Sequence, residues 1–262
     1  MVHYLNAERD IRHLINYKQF FKNTIFCGTF HKPPSILKEQ IVNTNYLKKL
    51  NGAIAVGSNQ VDFLKNWLNI ENVKYIPHGV ATDYFVPDAT KKKEHTLLFV
   101  GQHLRDFEVF NFCIPKIAER IKDLKVNVVL RKEYNSKIKP HPAIQLFNGI
   151  DDVALRNLYQ EASLLFLPLT DVTACNSILE AMACGLPIVT SDVGGNATYL
   201  KNTENILVSP TDTDSFIEVI VTLLKNEEKL KAIGISSRVK ALEYDWKIIA
   251  NEINIFYSGL AQ

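Results

Sequence analysis

Six short runs between residues 96 and 209 are almost wholly apolar: TLLFVG from residue 96, KVNVVLR from 125, IQLFN from 144, SLLFLPL from 163, LPIVT from 186 and NILVS from 205. Segments of helical periodicity alternate with most of them. A strand with one wet face alternates polar and apolar residues, whereas a strand with no polar face has to be covered on both sides. Such runs therefore predict a parallel sheet with helices on both faces, a complete doubly wound α/β domain.

The stretch before residue 80 repeats the pattern on a smaller scale. It predicts a helix over 8–21, a strand in TIFCGTF (24–30), a helix over 35–49, a strand in AIAVG (53–57), a helix in SNQVDFLKNWL and a strand in VKYIP (73–77). The Gly, Pro and charge of HGVATDYFVPDATKKKEH mark a connection. The tail over 236–256 reads as one or two helices. The expected organisation is a partial N-terminal domain at 1–80, a linker at 81–95 and a larger domain at 96–262, the last helix packing back on the first domain. Three strands are too few for the first part to match the second.

Composition narrows the function classes. Thirty basic and 28 acidic residues give a net charge of +2, too balanced for a nucleic-acid-binding surface. Short basic runs such as KKKEH read as solvated faces. Cys27, Cys113, Cys175 and Cys184 have neither C-x-x-C nor zinc spacing. The first two sit in apolar runs, where a reduced core thiol is expected. The N-terminal MVHYLNAERDIRHL lacks a signal-peptide core and a membrane-spanning run. A cytoplasmic protein is expected, with a peripheral position at a membrane left open.

No G-x-G-x-x-G follows a strand, and no P-loop, H-E-x-x-H or G-x-S-x-G motif occurs. In an open α/β sheet ligands bind beyond the carboxyl ends of the strands. There, Arg105 can fork onto phosphate oxygens and Lys132 adds a point charge. The amides that open the SILEAMAC helix form an anion site. Gly194 and Gly195 permit close backbone approach. Each feature also has a plainer reading. Arg105 can pair with Asp106 at the surface. Ser177 and Glu180 stand at capping-box spacing. Asp151-Asp152 and Asp212-x-Asp214 open helices, where N-capping explains them better than metal binding. His78, His103 and His141 are scattered, and none is assigned to a metal.

Taken together, GIDDVALRNLYQEASLLFLPLTDVTACNSILEAMACGLPIVTSDVGGN (149–196) resembles the C-terminal domain of retaining glycosyltransferases of the GT-B fold, glycosyltransferase family 4, the glycosyl transferases group 1. FVGQHLRDFEVF is similar to the first strand and loop of that domain. GTFHKPPSILKE, AIAVGSNQVDFL and IPHGVATDYFVP look like the later part of the N-terminal domain and its hinge. The resemblance implies two Rossmann-like domains, a nucleotide-diphosphate sugar as donor, and a hydroxyl acceptor on a glycan, lipid or small molecule. It implies a hexosyl- or related transfer with retention, by same-face attack with the departing phosphate as base, and no metal or other cofactor.

The resemblance also assigns residues. Glu180 takes the place of the glutamate that holds the ribose hydroxyls. Thr173, Cys175, Asn176 and Ser177 map to the loop that meets the donor sugar and diphosphate. Arg105 and Lys132 map to the basic pair on the diphosphate, and Gly149 and Ile150 to the backbone that holds the base. His31, in the stretch TFH, maps beside the transferred sugar. The first acid of the family's paired-glutamate motif falls on Val172, with Asp171 one residue away as its substitute if the loop is re-registered. Two full domains would need roughly 300 residues. A homodimer, a partner chain that completes the N-terminal domain, or a gene fragment is therefore expected, and a non-catalytic, nucleotide-sugar-binding subunit is the alternative to an enzyme.

Overall fold

In the computed structural model, residues 1–21 and 23–261 are described. They fall into two units: the first comprises 1–79, 172–174 and the chain from 246, the second 80–171 and 175–245. The expected second domain ends on Gln262, which lies outside the described residues.

In the first unit, β1 (Val2–Tyr4), β2 (Phe26–Phe30), β3 (Gly52–Ala55) and β4 (Val73–Tyr75) form a parallel sheet in that order. The helices α1 (Ala7–Leu14), α2 (Pro34–Gln40) and α3 (Val61–Leu68) serve one of its faces. There Ile11, Ile15, Leu37, Leu64 and Leu68 join Phe26 and Phe30 in one core. On the other face Cys27, Ile54 and Ile76 meet Ile249, Ile253 and Phe256 of the C-terminal helix Trp246–Leu260. Every residue of β2 and β3 is buried, which is why these runs carry no polar face. A methyl group on Gly52 would stand 2.8 Å from Leu260, so the glycine lets the C-terminal helix lie close.

Three expectations for this unit need correction. The helix expected over 8–21 is α-helical only to Leu14 and continues as a 3-10 turn, Ile15–Phe20. Four strands are present, not three: VHY is a strand of three residues at the sheet edge, too short for a periodic signal. The helix expected over 35–49 stops at Gln40, because Ile41 leaves helical geometry at φ −121° and ψ 87°. Only a 3-10 turn, Leu47–Lys49, follows it.

The second unit holds the six expected strands, all parallel: β5 (Thr96–Val100), β6 (Lys125–Val129), β7 (Ile144–Phe147), β8 (Leu164–Leu167), β9 (Ile188–Ser191) and β10 (Ile206–Val208). Their order is β10-β9-β8-β5-β6-β7. The connecting helices are α4 (Phe107–Arg120), α5 (Asp152–Glu161), α6 (Asn176–Ala183), the short α7 (Asn196–Tyr199), α8 (Thr213–Leu224) and α9 (Glu227–Leu242). Phe99, Phe110, Phe166 and Phe216 pack ring against ring in a row through this core. Asp106, Asp151 and Asp212 cap α4, α5 and α8 by accepting the amides of Val109, Ala154 and Ser215. Residues 80–95 also belong to this unit, where Arg238 donates to the carbonyls of Thr82 and Phe85.

The chain leaves β5 for β6 and β7, then returns to place β8 on the other side of β5. That reversal is a topological switch point, where the loops after two neighbouring strands diverge and leave a crevice.

Gly234 of α9 lies against the carbonyl of Gly185, and an added methyl would enter that oxygen's contact radius. Ala gains roughly 1 kcal/mol over Gly in a helix, but overpacking costs about 1–3 kcal/mol. The clash should win, because a backbone carbonyl yields less than a side chain. Gly234→Ala is expected to lose about 1–2 kcal/mol in urea unfolding; unchanged or raised stability would show that α9 shifts freely.

Candidate functional site

The switch point gathers the loops after β5 and β8. The amide of Asp106 donates to the Pro168 carbonyl at 2.9 Å and that of Thr170 to Leu104 at 3.0 Å. Arg105 is fixed between them. Its Nε donates to the Val100 carbonyl and its Nη1 to that of His103, both at 2.9 Å. Its Nη2 reaches Ser177 Oγ at 3.2 Å and Cys175 Sγ at 3.5 Å. Gly101 makes this possible. Its φ is +90°, and a Cβ there would sit 2.8 Å from the Arg105 Nη2.

The plainer alternative, a surface pair of Arg105 with Asp106, does not form. Asp106 is occupied as the cap of α4, and among the described residues no ion pair involves Arg105. Its charge instead stands at the start of α6. Cys175 is the N-cap residue there and supplies no side-chain cap. A helix N-terminus already carries partial positive charge, so a guanidinium beside it is unfavourable unless an anion sits with both.

The capping-box reading of Ser177 and Glu180 also fails. The helix starts two residues too early for it: Cys175 is the N-cap residue, Ser177 is the second helical residue and Glu180 lies in the following turn. Glu180 Oε2 accepts a hydrogen bond of 2.7 Å from the phenol of Tyr159, a fully buried residue of α5. Burial raises the Glu180 carboxyl to about 7; the Tyr159 hydrogen bond and the charge of Arg105 act against that rise. A half-buried carboxylate that uses one oxygen on a phenol keeps its other oxygen for further hydroxyl donors.

The remaining expected residues are spread around the same sheet. Asn176 opens α6 and is exposed. Lys132 begins an exposed 3-10 turn after β6. Gly149, with φ +63° and open space where a side chain would be, and the half-buried Ile150 follow β7. Asp171 follows β8 and is half-buried. Val172, where the family's first acid would stand, is 5% exposed and belongs to the first unit. Beyond β9, Ser191 Oγ accepts the Leu169 amide at 2.8 Å, and Asn196 donates to the Ser191 carbonyl at 2.9 Å, which ties the SDVGGN loop down.

Within the first unit His31 is the centre of a second cluster. Its amide donates to Glu8 Oε1 at 3.0 Å, and its carbonyl accepts the hydroxyl of Thr173. Its ring meets the Leu5 carbonyl and His78. Gly57 lies so close to Thr173 that a Cβ would stand 2.9 Å from its carbonyl oxygen. The buried Gln60 joins the loops after β2 and β3, donating to Phe30 and Lys32 and accepting from the Gly57 amide. Among the described residues no group of three or more His, Cys, Asp or Glu is placed to hold a metal ion, and no helix is long and apolar enough to cross a membrane.

Sequence reasoning misses the partners that hold these residues: Tyr159, Glu8, Gly57, Gln60 and His78. Tyr159 is legible only as part of the family pattern. Glu8 is signalled by its place just after a strand, but that strand carries no periodic signal of its own.

Residues 94–226 match the family described as Glycosyl transferases group 1. Over 238 residues the chain is 22% identical to a human protein, one of the subunits of the phosphatidylinositol N-acetylglucosaminyltransferase, covering 86% of this chain and 48% of that protein. It is 23% identical to a phosphatidyl-myo-inositol mannosyltransferase of Propionibacterium freudenreichii, covering 90% of this chain and 64% of that one. The chain thus spans about half to somewhat under two thirds of these relatives. Among solved structures, Anabaena Alr3699/HepE in complex with UDP and glucose superposes with a TM-score of 0.83 at 13% identity, over 98% of this chain and 77% of that one. Such a likeness shows the fold, and that fold is GT-B.

The Glu180 carboxyl carries a pH signature. Its pKa in the fold lies above the ordinary carboxylate value, so the folded state holds the proton longer. Stability from this group is present below about pH 4.5 and is lost as pH rises through about 7. Glu180→Gln removes the titration and keeps an acceptor for Tyr159. Its melting temperature relative to the parent should climb by about 5 °C between pH 5 and pH 8. A difference that stays constant over that range would place the carboxylate in a wetter setting.

Proposed function

This chain belongs to the glycosyl transferases group 1 family, and from that premise we propose that it transfers a sugar from a nucleoside diphosphate sugar to a hydroxyl acceptor with retention of configuration. The observation that carries the reading is the pairing of an unneutralised Arg105 with the uncapped start of α6, and Glu180 one turn along the same helix. That pairing suits a diphosphate on the helix end and ribose hydroxyls on the carboxylate. Arg105 and the α6 amides stabilise the charge that grows on the leaving diphosphate, a task that requires no metal. Cys175, Asn176 and Ser177 surround that group, and Lys132 adds charge from the next loop. Gly149 and Ile150 hold the base through their backbone.

In the transfer, the bond from the anomeric carbon to the phosphate oxygen breaks as the acceptor oxygen bonds to the same face. The acceptor's proton passes to the departing phosphate. The family resemblance assigns His31 to the transferred sugar; within its own unit its carbonyl accepts the hydroxyl of Thr173. Asp171, one residue from the position of the family's first acid, offers its carboxylate to the sugar hydroxyls if the loop is re-registered. The names of the relatives favour an inositol lipid as acceptor. A second reading, a donor-binding subunit that works with a partner chain, is favoured by the human relative, which is itself named as one subunit of a transferase.

Calorimetry with a panel of nucleoside diphosphate sugars tests the reading. At least one should bind, and Glu180→Ala should weaken it by at least tenfold while the fold survives. A failure of every donor, or no effect of Glu180→Ala, would refute it. Turnover by the purified chain, with the anomer of the product read by NMR, separates an enzyme from a binding subunit, and retention from inversion.

A further inference from the structure

His31 and His78 form a pair that the donor site does not account for. His31 follows β2 and His78 lies three residues beyond β4, so both stand at the carboxyl edge of the first unit's sheet. His31 Nδ1 is 3.0 Å from His78 Nε2, and the ring centres are 5.1 Å apart. His31 Nε2 is 2.6 Å from the Leu5 carbonyl oxygen. A carbonyl oxygen only accepts, so the proton of His31 is on Nε2. In the neutral ring Nδ1 is then an acceptor, and His78 Nε2 must be the donor to it. The hydrogen bonds run one way, from His78 through His31 to the Leu5 carbonyl.

His78 is suited to that part. Burial, with a smaller contribution from His31, lowers its pKa to about 4, which keeps it uncharged near neutrality. The Trp246 indole packs against its ring at 6.3 Å between centres. The same indole fills the space where a side chain on Gly79 would lie, so the segment that carries His78 is fixed from behind. The main chain of His31 is held by Glu8 and Thr173. Those bonds fix its backbone and leave the ring to the Leu5 carbonyl and His78.

We propose that His78 is a positioning residue, whose Nε2–H bond to Nδ1 of His31 sets the tautomer and ring plane of His31, the residue that the transferase reading assigns to the transferred sugar. This rests on the transferase reading above. The Nδ1 edge of His31 is thereby committed to His78, so the ring acts by shape and by a fixed dipole.

The test uses Gln and Met, side chains of similar length that differ in having a donor. His78→Met should lower kcat by 10- to 100-fold with donor Kd within about threefold of the parent, and His78→Gln should restore most of it. Long-range ¹⁵N–¹H NMR of the parent should show His31 protonated on Nε2 with Nδ1 as a hydrogen-bonded acceptor, and His78→Met should move that Nδ1 resonance toward the unbonded position. A parent in which His31 carries its proton on Nδ1 overturns the proposal even if no variant folds. A parent that transfers sugar, with both variants equal to it, overturns the role of His78 alone. A parent that binds no nucleoside diphosphate sugar overturns the transferase reading, and this proposal with it.

Discussion

A guanidinium held against the start of a helix is an electrostatic conflict, and the second unit is arranged around it. Arg105 is bound to the carbonyls of Val100 and His103, and its free edge is directed at Ser177 and Cys175. The partial positive charge of the α6 terminus and the full charge of the arginine repel one another until an anion joins them. Several features make the arrangement possible. Gly101 adopts a left-handed φ to clear the side chain. Asp106, the nearest carboxylate in sequence, is diverted to cap α4. The reversal of strand order beside β5 opens the crevice.

Glu180 gives the opposite charge its own enclosure. Its place in the second turn of α6 keeps it away from the helix end, and Tyr159 takes one of its oxygens. Cation and anion thus stand one turn apart, Arg105 at the start of α6 and Glu180 within it, without forming an ion pair, as a ligand with a phosphate end and a hydroxyl end would require. The first unit is held by a network of hydrogen bonds. Gln60 ties two loops together, Gly57 admits the Thr173 backbone, and His31 is held through backbone and ring alike.

Much of this was legible in the sequence, for identifiable reasons. Strands such as TLLFV and LLFL are buried at every position, so their composition alone marks a two-sided sheet. Arg105 was visible because it follows such a strand, at the edge where ligands bind. The edge strand Val2–Tyr4 was not, because three residues carry no periodicity and one edge of the ladder is unpaired. The break after Gln40 was hidden because Ile41 and Val42 continue an apolar pattern while the backbone turns. Ser177 and Glu180 had the spacing of a capping box, yet spacing does not say where a helix begins. The pairs Tyr159–Glu180 and His31–His78 join residues 21 and 47 apart, so only the fold brings them together.

The diphosphate site proposed at Arg105 and the start of α6 can be tested with inorganic pyrophosphate, without reference to base or sugar. Calorimetric titration of the parent and of Arg105→Gln is the direct measurement. Pyrophosphate should bind the parent more tightly than phosphate does, with an affinity that falls as salt is added. Arg105→Gln should weaken that binding at least tenfold while the melting temperature changes little. Equal affinity of parent and variant for pyrophosphate would contradict the assignment.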